Sequence, residues 1–116
     1  MRARRAAVLL AGALLAGVPA RAGADCLDGP LRGVIFRSSP GRDGTVLYDL
    51  QVRNPSRETR LAVTVRFAAP GVERPARGDI YLVNPGQGLR AVLGRGRREL
   101  SEEEMRAATA VSCYPH

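Results

Sequence analysis

Residues 45–67, Thr45-Val-Leu-Tyr-Asp-Leu-Gln-Val-Arg-Asn-Pro-Ser-Arg-Glu-Thr-Arg-Leu-Ala-Val-Thr-Val-Arg-Phe67, decide the fold class. In the first half Val46, Tyr48, Leu50 and Val52 alternate with Thr45, Leu47, Asp49, Gln51 and Arg53. In the second half Leu61, Val63, Val65 and Phe67 alternate with Arg60, Ala62, Thr64 and Arg66. Successive side chains of a strand point to opposite faces, so each half has one apolar face and one mixed face. A helix would bury Asp49, Arg53, Arg60 and Arg66 among the apolar positions. Pro55 donates no ladder hydrogen bond and ends the first strand. Asn54 and Ser56 favour a turn. The stretch therefore reads as a central β-hairpin. Its eight inward side chains are worth roughly 12–24 kcal/mol of gross burial, an upper bound. An isolated hairpin is marginal, so the apolar face needs a second sheet.

Before the fold comes a leader. Met1 to Arg5 carries three arginines, Ala6 to Val18 is apolar, and Ala22-Gly23-Ala24 closes on small residues. A basic head, a short apolar middle and an A-x-A end make a secretory signal peptide over residues 1–24. Thirteen apolar residues are too few to span a bilayer. Asp25 stands before Cys26 where a lipidation signal needs a small residue. The mature chain, residues 25–116, is expected to be a single Ig-like domain with no transmembrane segment. The leader holds four of the 18 basic residues and none of the 11 acids, which leaves fourteen against eleven, a net charge of +3 instead of +7. Export and this low charge exclude nucleic acid as a partner.

Cys26 and Cys113 are the two cysteines of the chain and lie near the two mature ends. An oxidising compartment pairs them, closing a loop of 88 residues. Chain entropy assigns such a bond about 4–5 kcal/mol. No C-x-x-C motif is present and no histidine lies near Cys26, so neither a redox pair nor a metal site is indicated.

Around the central stretch, residues 31–37 read as a first strand with Val34 and Phe36 on one face, Ile35 on the other, and Gly33 marking a bulge or a close backbone approach. Residues 68–78 are the longest irregular stretch, with room for a short edge strand near Val72. Residues 79–83 form the next strand. Asn84-Pro85-Gly86-Gln87 fits a type II turn into a returning strand over 89–93. Ser101 and Glu104 make a capping box for one short helix over 101–107. Residues 108–113 are the last strand. Strands with turns at this spacing form an all-β, Ig-like antiparallel sandwich of six to seven strands.

The order Val52-Arg-Asn-Pro-Ser56, Leu61 to Phe67, Leu82-Val-Asn-Pro-Gly-Gln87 and Ala91-Val-Leu-Gly94 resembles small Ig-like modules of bacterial envelope proteins, of the CARDB type, over residues 48–94. The resemblance implies binding or scaffolding and carries over no catalytic residue.

The chemistry available is sparse. His116 is the one histidine and is terminal, a poor general base and a poor lone metal ligand. Glu102, Glu103 and Glu104 follow a helix cap, where carboxylates complement the helix dipole, and they fan about 100° apart. No catalytic residue, cofactor or metal site is indicated. Arg77-Gly78-Asp79 spells a tripeptide expected by chance in an Arg- and Gly-rich chain. Arg95, Arg97 and Arg98 of Gly94-Arg-Gly-Arg-Arg98, with Arg90 nearby, form the candidate patch for an anion or a partner. The alternative is a solvated loop. The expected function is therefore a non-catalytic binding or scaffolding module at the cell envelope. Its partner would be an envelope protein or an anionic envelope component. A secreted enzyme inhibitor acting through the 68–78 loop is the second possibility.

Overall fold

The computed structural model describes residues 26–116; the expected signal peptide and cleavage point lie outside the described residues. After helical residues 26–28, six strands and one helix follow in order among the described residues: β1 (Arg32–Pro40), β2 (Val46–Arg53), β3 (Leu61–Phe67), β4 (Arg77–Val83), β5 (Gly88–Gly96), α1 (Glu102–Ala108) and β6 (Thr109–Pro115). They form two antiparallel three-stranded sheets, β1-β2-β5 and β4-β3-β6. This is the expected antiparallel sandwich, with six strands.

The eight alternating residues of the central stretch are all buried, from Val46 to Phe67. Their strands, however, are not a hairpin: β2 pairs with β1 and β5, while β3 pairs with β4 and β6. Residues 54–60 instead carry the chain from one sheet to the other. The two apolar faces thus cover each other across the core, which satisfies the demand for a second sheet within the stretch itself.

Asn54 is the reason the connection holds this shape. It is fully buried. Its Nδ2 donates to the carbonyls of Thr59 (2.8 Å), Val83 (3.2 Å) and Asn84 (3.3 Å). Its Oδ1 accepts from the Ser56 N–H at 3.1 Å, an Asx turn ahead of Arg57. Its own N–H donates to Gln87 O at 2.9 Å, and Gly86 N–H donates to Asn54 O at 2.8 Å. The second crossing, residues 84–87, is therefore fastened to the first. Gly86 at φ 74 and the bond from Gln87 N–H to Asn84 O at 3.0 Å make it the expected type II turn. It too joins different sheets, since β5 pairs with β2 and not with β4.

Elsewhere the expectations hold at local scale. The β1–β2 register shifts between Arg32 and Ile35, with Gly33 at φ 63, so the bulge is present. Phe36 is buried and Ile35 exposed. Ser101 Oγ accepts from Glu104 N–H at 3.1 Å and Glu104 Oε1 from Ser101 N–H at 3.0 Å, the complete capping box. The helix starts and ends one residue later than expected and buries Met105. It is tied to β1 where Ser38 Oγ donates to Leu100 O (2.8 Å) and accepts from Leu100 N–H (3.1 Å). Cys26 and Cys113 form the disulfide, 87 positions apart in sequence, and join the first described residue to β6.

Candidate functional site

Because side chains alternate, each sheet turns a second set of residues outward, and these two outer faces carry the polar and apolar groups open to solvent. Cross-strand register defines the outer face of β1-β2-β5. Ile35, Gln51 and Arg90 form one row; Arg37, Asp49 and Val92 the next; Ser39, Leu47 and Arg95 a third. On the other sheet Leu82, Ala62 and Tyr114 form one row, and Ile80, Thr64 and Ser112 another.

The four arginines of the expected patch do not come together. Arg90 is committed to Asp49: its Nε lies 2.8 Å and its Nη2 2.6 Å from Asp49 Oδ2. Asp49 is only 2% exposed although it belongs to the outward row. Alternation alone places it in solvent; the guanidinium laid against it removes that solvent and compensates the buried charge. Arg98 reaches Glu104 Oε2 with both terminal nitrogens at 3.3 Å, and its carbonyl accepts from the Tyr48 hydroxyl. The Glu104 carboxyl is held below its ordinary range, first by the Ser101 N–H and then by Arg98. Arg97 lies toward the 41–45 loop. There Asp43 is also held low, chiefly by the hydroxyl and then the N–H of Thr45, with a smaller effect from Arg97. Arg95 opens onto a cleft of about 380 Å³ lined by Glu73, Arg74, Val92, Gly94 and Arg95, while Arg98 lines a separate one beside Glu104 and Leu100.

The stretch 94–98 is also not a free loop. Gly94 and Gly96 are buried residues of β5. A Cβ on Gly94 would stand 2.6 Å from Val72 Cγ1, and one on Gly96 would overlap the Tyr48 hydroxyl. These glycines let two neighbours close on the strand. Residues 73–76 run along the free side of β5. Glu73 N–H donates to Arg95 O (2.7 Å), Arg95 N–H to Glu73 O (3.3 Å) and Ala76 N–H to Leu93 O (2.9 Å). The edge strand expected near Val72 is this single bridge between Glu73 and Arg95.

Other singled-out residues have structural partners. Glu102 pairs with Arg106 at 3.6 Å along the helix. The His116 N–H donates to Arg60 O at 2.8 Å and its Nδ1 sits 3.0 Å from Arg60 Nη2, so the terminus is tied to the body. Arg77-Gly78-Asp79 begins β4, with Gly78 at φ 96 beneath the Arg66 guanidinium. Among the described residues no three His, Cys, Asp or Glu side chains gather to hold a metal ion, and no helix is long and apolar enough to cross a membrane.

What sequence reading missed lies on the second sheet. Ile80 is 69% exposed, Leu82 52% and Tyr114 58%, with Ala62 and Thr64 between them. β4 is hydrogen-bonded to β3 alone, so its other edge is unpaired. The signal was present in Ile80-Tyr-Leu-Val83, which is apolar on both faces where a half-solvated strand alternates. No family model, no curated protein and no solved structure matches this chain.

Proposed function

We propose that the chain is an exported, non-catalytic binding or scaffolding module of the cell envelope, and that an extended segment of an envelope protein adds to the open edge of β4. The observation that carries this is the pair of exposed apolar residues Ile80 and Leu82 on β4 itself, whose edge is unpaired, with Tyr114 across the same face of the sheet. Edge pairing supplies main-chain hydrogen bonds, and alternate apolar positions supply selectivity. An exposed apolar strand edge left uncovered is an aggregation hazard, so a partner that covers it resolves a physical problem. The leader pattern of residues 1–24 and the Cys26–Cys113 disulfide support export. The resemblance to CARDB-type envelope modules points the same way.

Inhibition of an enzyme through residues 68–78 is the weaker reading, because 73–76 are bonded along β5 instead of standing clear. The test is capture from envelope extract with the immobilised protein and its Ile80→Glu/Leu82→Glu variant. Loss of about tenfold or more of a captured protein is expected, from the two apolar contacts removed. Equal capture by the variant overturns the proposal.

A further inference from the structure

The cleft at Arg74 and Arg95 lies on the other sheet from β4, so it stands or falls separately from the docking strand. Its most unusual residue is Arg74. At φ 50 it is the one non-glycine residue with positive φ among those described. The left-handed region is costly for a side chain with a Cβ, and Pro75 further biases its predecessor toward extended backbone. The strain is maintained by fixed points on either side: the two Glu73–Arg95 backbone bonds and the Ala76–Leu93 bond. A glycine at 74 would relieve it. Strain kept where a cheap remedy exists points to the side chain.

That residue lines the cleft together with Arg95 and with Val92, which is 51% exposed. Neither arginine is in a salt bridge among the described residues. Glu73 is the only acid lining the cleft. The other carboxylate of this face, Asp49, is buried and already answered by Arg90. Two guanidiniums beside one exposed valine form a site for an oxyanion attached to an apolar group. Guanidinium nitrogens bind carboxylate or phosphate oxygens in a planar fork, and an alkyl chain covers Val92.

We infer that the cleft between Arg74 and Arg95 binds an amphiphile with a phosphate head. A lipid headgroup and a soluble alkyl phosphate share this chemistry.

The test is titration of the purified protein with octyl phosphate, followed by amide NMR, with inorganic phosphate and uncharged octyl glucoside as comparison probes. Octyl phosphate is expected to shift the amides of Val92, Gly94 and Arg95 at lower concentration than either comparison probe. Arg95→Ala and Arg74→Gly are each expected to weaken binding about tenfold or more, the loss of one charge-assisted contact. Glu73→Gln is expected to tighten it. Arg74→Gly is also expected to raise the melting temperature, which shows that its binding defect is not a folding defect. Vesicles of phosphatidylglycerol, against phosphatidylcholine, assign the source: retention on the anionic vesicles alone identifies a lipid headgroup, and octyl phosphate binding without retention identifies a soluble amphiphile. Unchanged affinity in both arginine variants, or equal shifts with octyl glucoside, overturns the inference.

Discussion

The two sheets are alike inside and differ outside. Each has a middle strand whose inward side chains are buried: Val46, Tyr48, Leu50 and Val52 on β2, and Leu61, Val63, Val65 and Phe67 on β3. Outward, β1-β2-β5 shows Arg37, Arg90 and Arg95 around Ile35, Leu47 and Val92, with Asp49 sunk beneath Arg90. Outward, β4-β3-β6 shows Ile80, Leu82, Ala62 and Tyr114 with Thr64 and Ser112 in two uncharged rows, and carries the exposed Arg66 and Arg77 in the next. Burial dictates the inner faces and makes them nearly interchangeable. The outer faces are free of that demand, so it is there that the two sheets differ.

What the faces share is the way they are joined, and the largest effects are expected there. Cys26→Ser/Cys113→Ser is expected to cost about 4–5 kcal/mol in urea denaturation, from the loop released in the unfolded chain. Because Cys113 lies on β6, hydrogen exchange should rise first in the apolar sheet. Asn54→Ala is next, at about 2–4 kcal/mol, because it strips donors from three carbonyls and an acceptor from Ser56 in a buried place. Asn54→Asp should be no better, since a carboxylate cannot donate to those carbonyls.

A smaller effect separates the faces. Arg90→Ala leaves the buried Asp49 carboxylate without its partner and is expected to cost about 1–3 kcal/mol. Ile80→Thr, on the apolar face, is expected to stay within about 0.5 kcal/mol, because it removes nothing that the fold uses. If the two substitutions cost the same, the contrast between a face tied to the fold and a face that the fold does not use fails.

The smallest effect is a response to acid confined to the neighbourhood of the basic sheet. Asp43 and Glu104 both have carboxyls held low in the folded chain. Their stabilising contribution is therefore present above the ordinary carboxylate range and lost as pH falls through the depressed folded values. Amide NMR from neutral to about pH 2 should show the 41–45 loop and the start of α1 loosening while β4 is unchanged. Glu104→Gln should remove the response at the helix, leaving that at Asp43.

Much of this was legible in the chain. The period of two in residues 45–67 identifies the strands and their inward residues, whatever they pair with. The capping box and the Asn84–Gln87 turn are local chemistry, and local chemistry travels with the residues. The site was less legible. Arg90, Arg95, Arg97 and Arg98 lie close in sequence, but strand alternation and the acids Asp49 and Glu104, 41 and 6 positions away from their arginines, divide them. Arg74 gave no sequence signal, because its backbone angle is imposed by Glu73 and Ala76 bonding to β5.

The amino-acid sequence by itself determined where the strands alternate, which of their side chains face inward, where the helix is capped and which cysteines pair. Each of these follows from neighbours a few positions apart, or from there being only two thiols. Tertiary structure alone decided which strands pair. Alternation is identical for a hairpin and for a crossing between sheets, and the choice rests on Asn54, whose bonds to Val83, Asn84, Gly86 and Gln87 exist only once both crossings meet.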